Sequence, residues 1–173
     1  MFIFCHVKRD TPIPQLQILE ALSFLYLVKT STEYFGDVHM VKKGFVGNIE
    51  KETIKNTDFR RVLYTGKFSQ LVLMTLKPGE EIGSEVHDTI DQFFRFEEGE
   101  GMFVIDDVES KVHDGMAVIV PSGSKHNVVN TSKKDDLKLY TIYSPPEHQD
   151  KVVRHTKAQA LAEPEEYGGK PTE

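Results

Sequence analysis

Four side chains between Gly79 and Asn130 carry atoms that can bind a metal ion: the carboxylate of Glu85, the imidazoles of His87 and His126, and the amide oxygen of Gln92. Glu85 and His87 are two residues apart, a spacing that puts both on one face of an extended chain. Gln92 follows the turn-like stretch Asp88 to Asp91, which lets it return toward the same place, and it shares a strand face with Phe94 and Phe96. His126 leads a run in which Val128 and Asn130 share its face, with Pro121 and Gly123 shaping the turn that delivers it. Two imidazoles, one carboxylate and one amide oxygen at a single point suit a borderline divalent ion such as Fe, Mn, Ni, Co or Zn. Cys5 is the sole cysteine, so no thiolate set exists for a structural zinc knot. Coordination positions not filled by protein would be open to water or substrate. Glu85 has a second use, as a carboxylate that swings off the metal and shuttles a proton.

Positioning such a set takes strands. Phe59 to Tyr64 reads as one, ended by Thr65-Gly66, and Leu71 to Leu76 as another, stopped by Lys77-Pro78-Gly79. Phe93 to Phe96 and Met102 to Ile105 flank Glu97-Glu98-Gly99-Glu100-Gly101, which predicts a hairpin around a glycine-containing loop. Met116 to Val120, His126 to Asn130 and Leu137 to Tyr143 complete the series. Short strands at near-regular spacing predict an all-β domain over residues 40–150, an antiparallel sandwich or barrel rather than a parallel sheet. Residues 1–39 form an extension with a short helix over Gln15 to Val28 or partial disorder, and residues 151–173 a tail with a weak helix at Thr156 to Ala162.

Other residues carry blander readings. Phe93, Phe94, Phe96 and Phe103 read as core; His113 reads as a solvated loop residue, and His148 and His155 as lying outside the barrel. Arg60, Arg61 and Lys67 read as exposed charge, with an anionic substrate at the barrel mouth as their alternative use. The facing of Tyr64, Gln70 and Tyr140 is left open.

Composition bounds the rest. A chain of 173 residues with 39% hydrophobic content supports one good core. The net charge of −6, with basic residues scattered, argues against nucleic acid and anionic membrane as partners. Leu22 to Val28, the longest apolar run, is too short to span a bilayer, and Asp10 and Glu20 interrupt any signal-peptide pattern. A single cysteine fits a reducing compartment, so a cytoplasmic location is expected.

The intervals between these residues match two known motifs, G-x5-H-x-H-x4-E-x6-G and G-x5-P-x-G-x2-H-x3-N. Gly79, His87, Gly99, Gly115, Pro121, Gly123, His126 and Asn130 all fall in register. In this the chain resembles the cupin superfamily, and within it the small single-domain cupins of the mannose-6-phosphate isomerase-like group. Two positions depart from the motif: Glu85 stands at its first histidine and Gln92 at its glutamate, a swap that keeps the formal charge of the ligand set. The resemblance implies a jelly-roll barrel with a metal at its centre, and a homodimer paired through edge strands. Two functions then follow. One is a metal-dependent enzyme acting on a small polar molecule, sugar-like or dicarbonyl, by isomerisation or dioxygenation, with Glu85 catalytic. The other is a non-catalytic barrel without metal that binds or senses a small molecule through hydrogen bonds from Glu85, Gln92 and the histidines.

Overall fold

Alternation at period two sets the inner face of every strand in this protein. The computed structural model describes residues 43–173; the helix expected over Gln15 to Val28, and the rest of the 1–39 extension, lie outside the described residues. Nine strands follow in order: β1 (Arg60–Thr65), β2 (Gln70–Leu76), β3 (Asp91–Glu98), β4 (Glu100–Ile105), β5 (Val108–His113), β6 (Ala117–Val120), β7 (His126–Asn130), β8 (Leu137–Ser144) and β9 (Val153–Arg154). They form a six-stranded sheet in the order β6-β3-β8-β2-β1-β9 and a three-stranded sheet in the order β5-β4-β7. The strand pairs are antiparallel, and the two sheets make a jelly-roll β-barrel.

The core lies between the sheets. Val72, Met74 and Leu76 of β2 stand opposite Thr141, Leu139 and Leu137 of β8, and Phe94 and Phe96 of β3 stand opposite Thr141 and Leu139. From the smaller sheet Phe103 and Val128 face them, with Phe94 and Phe103 packed edge to face at 4.9 Å. Each such buried side chain stabilises the fold by about 1.5–3 kcal/mol. Phe93 departs from its expected core role: one residue out of phase, it sits on the outer face, 6.1 Å from Tyr140.

Two short helices flank the strands. α1 (Ile49–Lys55) is capped by Asn48, whose side chain accepts from Lys51 N, and it buries Thr53. Asn56 then donates to Thr75 Oγ1 and to the carbonyl of Asp58, tying the helix end to β2. This helix falls where the sequence pattern is mixed, and seven residues are too few to show a periodic stripe. α2 (Lys157–Ala162) is the weak C-terminal helix, capped by Thr156. No helix among the described residues is long and apolar enough to cross a membrane.

The hairpin expected around Gly99 does not form. β3 pairs with β6 and β8, whereas β4 pairs with β5 and β7, so Gly99 is a corner at which the chain changes sheets. Its φ is +91°, and a Cβ there would press into the backbone of Asp136 and Leu137. The hairpin is instead β4–β5, turning at Asp106 and Asp107 with φ of 46° and 66°, the paired left-handed conformation of a two-residue turn. Asp-Asp is a weaker turn signal than Asp-Gly, and the sequence pattern hides it.

Gly115 has a positive φ too, but open space where a Cβ would go. Gly115→Ala is therefore expected to cost only the conformational penalty, about 1–2 kcal/mol. Gly99→Ala adds a backbone clash and is expected to cost about 3 kcal/mol or more. Urea unfolding of the two variants, compared with the parent, checks the ranking.

Candidate metal centre

The segment from Glu80 to His87 is not a continuous strand. It is laid against β7 by backbone hydrogen bonds: Ile82 N to Val128 O at 3.0 Å, Asn130 N to Glu80 O at 2.8 Å, and a reciprocal pair between Glu85 and His126, each N–H donating to the other's carbonyl at 2.9 Å. Gly123 N donates to the carbonyl of His87 at 2.8 Å, so the Pro121-Ser122-Gly123 turn holds both motifs together. Asn130 acts from below, donating to Leu76 O and Asp135 O and accepting from Ser132 N.

These connections bring Glu85, His87 and His126 together, with one potential ligand atom from each lying within 4.8 Å of the others. The group is thereby positioned to bind a metal ion. His87 Nε2 lies 3.7 Å from Glu85 Oε2, beyond hydrogen-bond reach, and this buried nitrogen has no hydrogen-bond partner among the described residues. A buried ring nitrogen left unpaired beside a carboxylate is a position that a cation can fill once the ring is neutral. Gln92 is the fourth expected ligand, 1% exposed, its Nε2 donating to Thr141 Oγ1 and its Oε1 lying 3.0 Å from His126 Nε2. His126 Nδ1 meets the carbonyl of Ser124 at 3.2 Å. A neutral imidazole has one N–H, and donating it to Ser124 leaves the Nε2 lone pair facing the Gln92 oxygen. A cation between those two atoms relieves the repulsion, and so would a flipped Gln92 amide. The donor set fits a divalent ion.

The charges follow from the same geometry. Burial works to raise the Glu85 carboxyl, but His87, Arg60 and His126 outweigh it and hold Glu85 below its ordinary value. The Glu85 carboxylate in turn holds His87 above its usual range against the effect of burial. Burial lowers His126, in line with a neutral ring. Thus Glu85 is held ionised and His126 neutral, as metal ligands must be, whereas His87 must give up the proton that Glu85 favours before it can bind an ion.

Three further residues stand next to this centre. Tyr143 is opposite Gln92 in the β3–β8 pairing, and its ring lies 5.8 Å from that of His87. Burial pushes its hydroxyl well above the ordinary value, so it is a neutral donor. Glu147 reaches to 3.8 Å from His87 Nδ1. Gln70, whose facing the sequence left open, is fully buried and clamps the loop that carries Glu147: it accepts from Glu147 N and His148 N and donates to His148 O.

Two expectations are corrected. His148 is not outside the barrel; it is 6% exposed and packs edge-on against Tyr143 at 5.0 Å. Arg60 is not an exposed charge, since it turns inward beside β9 and pairs with Glu165. Neither burial has a local signal: His148 follows Pro145-Pro146 outside any strand pattern, and an arginine at a strand start is ordinarily solvated. His155 pairs instead with Asp58, and His113 is solvated as expected. A pocket of about 180 Å³ borders His126, but Val104 and Asn127, on the outward faces of β4 and β7, also line it, so it lies outside the barrel.

Comparison with known proteins agrees with this architecture. A family model described as "Cupin domain" matches residues 72–143. The Bacillus subtilis protein YrkC is 44% identical over 126 residues, covering 69% of this chain and 67% of that one. Protein L612 of Acanthamoeba polyphaga mimivirus is 43% identical over 107 residues, covering 60% and 67%. A crystal structure from Bacillus halodurans is 43% identical with a TM-score of 0.68, covering 72% of this chain and 98% of that chain.

His148 generates a pH prediction. Burial first, then the charges of Arg60 and His87, lower its pKa well below the ordinary 6.5. Glu165 lies 3.6 Å away but is already engaged by two arginines and does not offset this. A depressed folded-state pKa means that the unfolded chain takes up the proton first, so its contribution is intact above about pH 6.5 and is lost as pH falls toward the folded-state value. Urea unfolding of chelator-treated protein between about pH 7.5 and pH 5 should show falling stability, with a shallower fall in His148→Phe.

Proposed function

The chain belongs to the cupin superfamily, and from that premise we propose that it is a metal-dependent enzyme acting on a small polar molecule, sugar-like or dicarbonyl, by isomerisation or dioxygenation. The observation that carries this reading is the convergence of Glu85, His87 and His126 around a buried His87 nitrogen without a partner. Glu85, His87 and His126 would hold the ion, with Gln92 Oε1 as a fourth, neutral donor. When bound, a divalent transition metal supplies Lewis acidity at a substrate carbonyl or enediol, or redox chemistry with dioxygen. The protein residues do the rest. His126 is oriented by its contact with Ser124 O, which fixes the tautomer with Nε2 free. Glu85, ionised and beside His87, either stays on the ion or swings off it to take a proton from a substrate carbon or hydroxyl. Tyr143, neutral, buried and ring to ring with His87, would donate a hydrogen bond to a substrate oxygen. Pairing of two copies through sheet edges belongs to the same proposal, supported by β5 and β6, end strands of the two sheets with no further strand partner among the described residues.

One observation favours a second reading. With its amide flipped, Gln92 satisfies His126 Nε2 without any ion, which suits a metal-free barrel that binds or senses a small molecule. Metal content separates the two. Protein purified without added metal is expected to carry near-stoichiometric transition metal by elemental analysis. His87→Ala and His126→Ala should lose it, and Gln92→Ala should weaken affinity by about 10–100-fold. A metal-free parent protein that still binds a small ligand would favour the sensor.

A further inference from the structure

We propose that Arg60 and Arg154 form a carboxylate-binding subsite beside the metal centre, and that Glu165 of the C-terminal tail occupies it as an internal stand-in until a small carboxylate ligand displaces it. Arg60 of β1 and Arg154 of β9 are direct cross-strand partners, so their side chains rise on the same side of the sheet. Both are largely buried, with side chains 11% and 13% exposed, and Glu165 between them is 6% exposed. Its two oxygens divide between the arginines: Oε1 to Arg60 Nη1 at 3.3 Å and Oε2 to Arg154 Nη2 at 3.1 Å. This is a pincer around a carboxylate, the group that planar guanidinium forks match best.

The pincer is only partly used. Each guanidinium offers five N–H donors. Arg154 also engages the carbonyl and carboxylate of Glu163, whereas Arg60 has Glu165 alone as a side-chain partner among the described residues. Among the described residues, the Nε atoms of both arginines are buried without a hydrogen-bond partner, and so are both ring nitrogens of His148, which lies 3.6 Å from the same carboxylate. Buried donors are nearly always satisfied in a purely structural ion pair, so three unpartnered N–H groups beside one carboxylate, the two arginine Nε and one nitrogen of the neutral His148 ring, mark a site built for a ligand with more acceptors.

The subsite adjoins the metal centre. Tyr143 touches the His87 ring on one side and the His148 ring on the other, and the charge of Arg60 acts on Glu85, His87 and His148 alike. The segment that delivers Glu165 can yield. The tail is held at Tyr167 N to Glu147 O and at Thr172 N to Thr65 O, but residues 164–166 make no backbone hydrogen bond among the described ones. A carboxylate on the arginines would leave its hydroxyl or carbonyl end toward His87 and Glu85. Naming that ligand a substrate rests on the catalytic reading above; the binding site itself does not.

Malonate is the probe, with malonamide as its neutral counterpart, titrated calorimetrically into metal-loaded and into chelator-treated protein. Malonate should bind the parent and malonamide should not. Glu165→Gln should tighten malonate binding by about tenfold or more, and Arg154→Gln should weaken it by a similar factor, with Arg154→Lys as the charge-keeping variant should the first not fold. In the unmodified protein, malonate should raise amide hydrogen exchange at Glu163 to Glu166. Malonate binding indifferent to Arg154, or no gain in Glu165→Gln, or an unchanged tail on binding, each overturns the subsite. Binding that requires metal but ignores the arginines does so while leaving the metal reading intact. Arginine-dependent binding in a protein that takes up no metal upholds the subsite and defeats the metal reading.

Discussion

The reciprocal hydrogen-bond pair between Glu85 and His126 is the constraint on which the centre depends. Two residues that exchange both backbone bonds across an antiparallel pair present their side chains on the same face, with Cα atoms about 5.5 Å apart. Here that places a carboxylate beside an imidazole although the two are far apart in sequence. A slip of one residue would send Glu85 to the opposite face. Register is therefore defended at several points: Asn130 N on Glu80 O and Ile82 N on Val128 O beyond the pair, and Gly123 N on His87 O at its other end. The second motif is in this sense the scaffold on which the first is stretched out.

The buried polar groups divide into two sets with different consequences. Gln70, Asn130 and the Asn56–Thr75 pair make several hydrogen bonds each and stiffen the frame, although Asn56 Oδ1 finds no partner among the described residues, and Thr141 accepts from Gln92. His87 Nε2, both nitrogens of His148, and the Nε atoms of Arg60 and Arg154 make none. An unsatisfied buried donor or acceptor costs about 1–3 kcal/mol, so a fold keeps such groups only where something compensates. Asn56 Oδ1 at the end of α1 is the exception; the other five run from the metal centre past Tyr143 to the paired arginines, the part of the interior best arranged for ligands.

Much of this was legible in advance. The strands β2, β6, β7 and β8 lie close to where their apolar runs and turn residues put them, and the inward row Gln92, Phe94, Phe96 follows from alternation alone. Gly99 shows where that kind of reading stops. A glycine between two strand-like runs looks like a hairpin turn, and only the partners of β3 and β4 reveal a corner between sheets. Asp106-Asp107, a weak turn signal, closes the hairpin that does form. His148 and Arg60 escaped for a related reason: local pattern sees neighbours in sequence, whereas their burial comes from Tyr143 and from the returning tail.

By itself the sequence determined which chemistry was available and where the strands would run, because ligand atoms belong to residue types and strand faces follow a period of two. The tertiary structure alone decided which polar groups share one interior. Glu165 meets Arg60 and Arg154, and Tyr143 lies between His87 and His148, because the chain closes β9 onto β1 and folds its tail back over them. Such long-range closure depends on the packing of the whole barrel and leaves no local signature in the order of residues.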